Sequence, residues 1–274
     1  METFRQSGES LAGRYLRLRL HLLSVRELKD EMPPREALDL INNLGGFPEP
    51  LLSGSERKAA RWRNQYFSDL VREDIMDFSR IQEMKSIRLM VELLRERTGS
   101  PLSLNSLSGD LQVSPNTVKK YLDILESLYI VFTVRPFHRN IARSILKEPK
   151  VYFFDSAYIR GDEGARLENT VACSLLKHCH YQQDVTGRSL ELNYLRTKDK
   201  REVDFLLSRE GTPQEMIEVK LSGREISRHL LYFKTRYPEI KAVQIVQNLR
   251  QEEYHRERDI HLCNAGRYLS ELSA

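Results

Sequence analysis

Cysteine, tryptophan and long apolar runs are all scarce in this chain: its 274 residues include 3 cysteines and 1 tryptophan. Cys173, Cys179 and Cys263 are odd in number and have no framework spacing, which excludes a disulfide scaffold and points to reduced thiols in a cytoplasmic setting. The longest apolar runs, Leu128 to Phe132 and Val151 to Phe154, are too short to span a bilayer, and Met1 to Ser10 has no apolar signal-peptide core. A soluble protein without a membrane partner is expected. Charge of one sign is lacking too: 43 basic residues face 39 acidic ones, a net of +4, so only local clusters can argue for nucleic acid. No Gly-x-x-x-x-Gly-Lys-[Ser/Thr] occurs and no apolar strand ends in Asp-Glu, so no ATP site is expected. What is present is a globular balance, 40% hydrophobic against 30% charged, in a chain long enough for two or more domains.

The chemistry concentrates between Arg201 and Lys220. Two apolar runs, Val203 to Leu207 and Met216 to Val219, flank a polar stretch from Ser208 to Glu215 in which Gly211-Thr212-Pro213 supplies a turn, so the segment reads as a β-hairpin. Strand alternation puts Glu218 and Lys220 on one side, and Asp204 can join them from the partner strand. Two carboxylates and an ammonium inside an apolar sheet are costly unless a cation or substrate compensates them. Metal-assisted phosphodiester hydrolysis uses such a cluster: the carboxylates hold Mg²⁺ or Mn²⁺, and the lysine orients water or stabilises charge. The bland alternative is a hairpin with a surface aspartate and a surface Glu-x-Lys pair.

The Asp204…Glu218-x-Lys220 pattern resembles the PD-(D/E)xK nuclease-like superfamily, with Val203 in place of the proline. The resemblance implies a further carboxylate from a preceding helix. Glu168 is the candidate, in a stretch where Leu167, Val171, Ser174 and Leu175 share a helical face. It thus implies Glu168, Asp204 and Glu218 as metal ligands with Lys220 as the catalytic cation; Glu202, two residues before Asp204, is an extra candidate.

Toward the N-terminus, Arg14 to Leu28 reads as a strand followed by a short helix from Ser24, and a short helix begun at Pro33-Pro34 stops at Gly45-Gly46. A long helix runs from Ser55 to about Arg80, and another from Gln82 to Arg97. Leu104 to Leu111, a turn at Val113, the Ser114 cap and Pro115 at the first helical position then form a helix-turn-helix pattern, leaving Thr117, Lys119 and Lys120 outward near the second helix start. A strand, Tyr129 to Val134, makes the unit winged. Arg135, Arg139, Arg143 and Lys147 follow with no acid among them, a strip suited to phosphate contacts. DNA is the partner this implies, although winged helices also bind proteins. Arg57, Lys58, Arg61 and Arg63 read as a solvated face. His178-Cys179-His180 matches no tetrahedral zinc spacing.

Ser10-Leu11-Ala12-Gly13-Arg14-Tyr15, Leu23 to Glu27, Gly45-Gly46-Phe47-Pro48-Glu49 and Arg72-Glu73-Asp74-Ile75 look like a prokaryotic family of AAA-type ATP-binding proteins with a C-terminal nuclease-like domain of unknown function. Only the last part of the ATPase module is matched, so the resemblance implies a truncated member without ATPase activity of its own. Expected partners are DNA, with a second copy or a partner ATPase subunit also in view. The expected fold class is mixed α/β: residues 1–30 a remnant of the ATPase module, 31–100 a helical segment, 101–161 a winged helix-turn-helix, and 162–274 a nuclease-like α/β domain that ends on a buried strand at Ala242 to Val246. The expected function is DNA binding or processing with metal-dependent phosphodiester cleavage; the alternative is a non-catalytic DNA-binding or partner-binding module on a vestigial nuclease fold.

Overall fold

A computed structural model of the chain describes residues 16, 18–75, 81–138, 147–160 and 162–274, except for the side chains of residues 71–75, 81 and 82. Arg139 and Arg143 lie outside them. The fold is mixed α/β, and the described residues form eight strands in one mixed sheet.

The first half is helical: α1 (Val25–Leu28), α2 (Pro34–Leu44), α3 (Pro48–Leu52), α4 (Glu56–Ile75), α5 (Ile81–Arg95), α6 (Leu104–Leu111) and α7 (Pro115–Ser127). Strands β1 (Val131–Pro136) and β2 (Lys150–Phe153), a 3-10 turn (Ser156–Tyr158) and the long helix α8 (Glu163–Thr186) follow. Then come β3 (Leu190–Arg196), β4 (Glu202–Arg209), β5 (Thr212–Lys220), α9 (Arg228–Arg236), β6 (Lys241–Val246), β7 (Glu253–His255), β8 (Ile260–Asn264) and α10 (Ala265–Ser270).

Strand order across the sheet is β2-β1-β3-β4-β5-β6-β8-β7. Pairs β1/β3, β5/β6 and β6/β8 are parallel and the others antiparallel. Leu167, Val171 and Leu175 of α8 pack with Phe205, Ile217, Val219 and Val243 of the sheet in one apolar cluster, which α2 and α10 complete through Leu38 and Leu269. Leu230 and Phe233 of α9 cover Leu206 and Met216. A separate cluster joins α5, α6 and α7 to Val131, Val151 and Phe153 at the other end of the sheet.

The strand that follows the helix-turn-helix is therefore not a free wing. Arg135 pairs with Asn193 of β3, so the helical half and the α/β half share one ladder.

Three local expectations are corrected. Residues 18–24 run extended but join no sheet: the Arg19 N–H donates to Asp184 of α8 at 3.0 Å and the Leu23 N–H to the Gly46 carbonyl at 2.9 Å, so their donors are met by a helix side chain and a loop. The hairpin is longer than its apolar runs suggest. Its turn is only Glu210-Gly211, with φ of 50° and 76°, the two positive values that a tight two-residue connection requires, so the polar residues on either side are strand residues (Arg209 pairs with Thr212). Finally, β6 is not the last strand, because β7, β8 and α10 continue the fold beyond it.

Candidate metal and phosphodiester site

Continuing the Phe205–Ile217 register of β4 and β5 brings Asp204 opposite Glu218. The two carboxylates lie at the mouth of the sheet, where Asp204 Oδ2 accepts the Val219 N–H at 2.9 Å and Glu218 Oε1 pairs with Lys220 Nζ at 2.8 Å. Glu218 is 3% exposed, and its Oε2 is buried without a hydrogen-bond partner among the described residues. Burial, and then the charge of Asp204, push the Glu218 carboxyl above its ordinary range; Lys220 opposes the shift. For Lys220 burial lowers the pKa, but Glu218, Asp204 and Glu168 outweigh it and hold the ammonium charged.

Glu168 arrives from the first turns of α8, whose start is capped by Asp162 through the N–H groups of Gly164 and Ala165. Its Oε1 accepts from Tyr152 Oη at 2.7 Å and Lys150 Nζ at 3.2 Å. The Gly99 loop closes over it: φ there is +75°, and a Cβ would sit 2.9 Å from Glu168 Oε1. Burial and the nearby Asp204 charge push the Glu168 carboxyl up to about 7 against the pull of Lys150.

Lys150 was not among the residues expected here. On β2 and 1% exposed, its ammonium stands 2.8 Å from Glu202 Oε1, 3.2 Å from Glu168 Oε1 and 3.8 Å from Asp204 Oδ1. Burial alone would neutralise it, but the charges of Glu168, Asp204 and Glu202 raise its pKa. Its sequence setting, Glu148-Pro149-Lys150-Val151-Tyr152, carries one usable cue: a lysine opening an apolar strand must either snorkel or find anions. Glu202 is committed on both oxygens, its Oε2 pairing with Arg196 at 2.7 Å.

Of the three expected metal ligands, Asp204 and Glu218 thus face each other, while Glu168 is held by Lys150 and Tyr152. Among the described residues no three His, Cys, Asp or Glu side chains form a ready cage. Magnesium-type ions keep several waters and are held through one or two carboxylates, so Asp204 and Glu218, with the unpartnered Glu218 Oε2 between charged neighbours, fit such an ion.

On the helix-turn-helix, Ser114 caps α7, and its hydroxyl lies 2.9 Å from that of Thr117, so Thr117 serves the helix start. Lys119 is exposed, and Lys120 lies 3.8 Å from Glu83 on an exposed surface. Asp155 caps the 3-10 turn through the Ala157 N–H at 3.2 Å and is buried. Arg63, expected on a solvated face, is only 9% exposed and donates to the Leu44 carbonyl at 2.9 Å.

Two family models match. Residues 35–160 match a domain of unknown function (DUF8612), and residues 163–268 match another (DUF4143). Uncharacterized proteins of Mycobacterium bovis and Mycobacterium tuberculosis are each 25% identical over 230 residues, 82% of this chain and 51% of theirs. An uncharacterized protein of Haemophilus influenzae is 23% identical over 252 residues, 84% of this chain and 60% of its own. The chain spans about half the length of the mycobacterial relatives. No solved structure matches it.

Proposed function

We propose that the chain is a DNA-processing protein whose C-terminal region hydrolyses phosphodiesters with a divalent metal, on a PD-(D/E)xK nuclease-like site. The observation that carries this reading is the Asp204–Glu218 pair, with Glu218 Oε2 buried and unpartnered and Lys220 alongside. A bound Mg²⁺ or Mn²⁺ would supply an activated water and neutralise charge on the phosphate. Asp204 and Glu218 bind, the Val219 N–H orients Asp204, and Lys220 holds a proton at Nζ from which it steadies developing negative charge. ATP hydrolysis is outside the proposal. The likeness to AAA-type ATP-binding proteins supports a place beside such a module, and Lys119 and Lys120 on α7 support DNA as the partner.

A second reading has its own observation. Lys150 already neutralises Glu168 and Glu202 and approaches Asp204, as expected of a module that keeps the nuclease-like fold without the reaction. Calorimetric titration of Mn²⁺ into wild type, Glu218→Ala and Lys150→Met, with parallel incubation on supercoiled and single-stranded DNA, separates the two. The first requires wild-type binding and cleavage that both vanish in Glu218→Ala. Absence of both from wild type, with metal binding appearing only in Lys150→Met, supports the second.

A further inference from the structure

Away from the carboxylate cluster, the extended segment before α1 lies along α8 and carries leucines at alternate positions. Leu16, Leu18 and Leu20 are 91%, 70% and 102% exposed. Leu18 and Leu20 stand between two grooves, one leading to Tyr129 and Phe154, the other to Tyr181 and Val185 of α8. Tyr129, Tyr181 and Val185 are exposed as well, so this neighbourhood collects six of the nine large apolar side chains exposed among the described residues. Tyr129 is held there in the left-handed region, φ 55°, at the end of α7 where glycine is the usual residue, with its ring edge-on to Phe154 at 5.6 Å. Apolar patches of several hundred square ångströms mark interaction sites, and leucines and tyrosines this open reach the scale of the roughly 800 Å² that each partner gives to a standard interface.

The backbone beside these leucines is open too. The Arg19 N–H donates to Asp184 Oδ2 at 3.0 Å and so faces α8. Backbone groups alternate in direction along an extended chain, so those of Leu18 and Leu20 face away from the helix. Neither residue makes a hydrogen bond to another described residue. An unpaired edge of this kind is a template for a second strand, and proteins usually guard it with charge or proline; here leucines occupy the outward positions. Charge does not select a nucleic acid or a charged peptide at this face. Arg19, the one formally charged residue lining the Tyr129 groove, pairs with Asp184. His21 and His180 hydrogen-bond to each other at 2.8 Å, and burial pushes both down to about 4, so they are neutral near pH 7. In the Tyr181 groove the charges are of both signs.

We propose that this leucine edge is the interface of a homodimer, in which two copies of the chain pair antiparallel about a two-fold axis at Leu18. The outward residues, leucine at each alternate position, read the same in both directions, so a second copy matches apolar to apolar without a different partner. That register sets Leu18 against its own copy and Leu16 against the second copy's Leu20. Their backbone groups then exchange hydrogen bonds across the axis, and their side chains share one face as cross-strand neighbours. A two-fold contact of one patch with itself closes at two copies, where a head-to-tail contact would propagate.

Sedimentation velocity on the full chain, from micromolar to near-millimolar concentration, should show twice the chain mass. Leu18→Asp/Leu20→Asp changes two exposed positions and should weaken association roughly tenfold or more by placing charge on an edge that pairing desolvates. Leu89→Asp, exposed on α5, should leave association unchanged. Near-UV circular dichroism checks that each variant keeps its packing. The register is read independently of the aspartates by Leu18→Cys. Mild oxidation should link two copies of that variant covalently, because opposed residues of a hydrogen-bonded antiparallel pair have Cα atoms about 5.5 Å apart, within disulfide reach; wild type and Leu89→Cys should stay unlinked. A chain that remains monomeric at the highest concentration overturns the proposal. So does association that survives Leu18→Asp/Leu20→Asp, association that grows beyond two copies, or a Leu18→Cys variant that does not cross-link.

Discussion

Glu168 is the residue whose charge state is most finely balanced. Its folded pKa, pushed up from 4.5 to about 7 by burial and by Asp204, means the folded protein holds a proton there that the unfolded chain releases. The native state then binds more protons than the unfolded state between those values, so unfolding free energy falls as pH rises from about 4.5 to about 7. Asp155, raised to about 6 by burial, has the same sign over a lower window. Denaturant titrations across that range should show Glu168→Gln flattening the fall between about pH 6 and 7 while most of the fall below it persists. An unchanged slope in Glu168→Gln would mean that Lys150 and Tyr152 keep the carboxylate fully charged. Lys150 itself explains why a carboxylate cluster of this density tolerates burial: an ammonium placed among Glu168, Glu202 and Asp204 offsets repulsion that each would otherwise relieve by taking a proton.

At the scale of single elements, α7 shows how much of a local structure follows from a few residues. Ser114 supplies the cap and Pro115 the first helical position, and Val118, Tyr121, Leu122 and Leu125 bury one face. What remains outward at its N-terminal end is Lys119 and Lys120. If α7 reads DNA, Lys119→Glu/Lys120→Glu should weaken binding uniformly across sequences and lower the log-affinity against log-salt slope by roughly 2, as measured by fluorescence anisotropy over a salt series. A full salt slope in that variant would remove α7 from the DNA surface. The neighbouring strand β1 carries Arg135 into the sheet, a placement that the basic strip did not foretell, because charge composition says nothing about strand pairing. β3 was likewise unread in the sequence: Leu190, Leu192 and Tyr194 alternate with Glu191 and Asn193, but Leu195 breaks the period and the pattern is weak beside the hairpin, although Leu190 and Tyr194 are buried.

For the molecule as a whole, the consequence of one sheet running through both halves is cooperativity. β1 pairs with β3, the Phe153 N–H donates to Asn169 Oδ1 at 2.7 Å, and Asn169 Nδ2 returns to the Phe153 carbonyl at 2.8 Å, so the edge of the C-terminal region is satisfied by the helical half. The fragment 162–274 alone would expose the β3 edge and lose the Lys150 ammonium from its carboxylates. It should therefore fail to give a cooperative thermal transition or dispersed amide NMR spectra, whereas the full chain should give both. A well-dispersed fragment spectrum would show that the C-terminal region is self-sufficient.

Short-range patterns alone determined the mixed α/β class, the helix α6 and the capped helix α7, and the helix and hairpin that contain Glu168, Asp204, Glu218 and Lys220. Those features rest on periods of two and 3.6 residues and on turn and cap chemistry, all of which act between near neighbours in the chain. The tertiary structure decided what closes the carboxylate cluster, which edge of the leucine segment stays open and where β1 joins the sheet. Lys150 reaches Glu202, Asp184 takes the Arg19 N–H, and β1 finds β3 only through pairing and packing between distant segments. No local pattern encodes such distances, because the free energy that sets them is shared among many buried side chains at once.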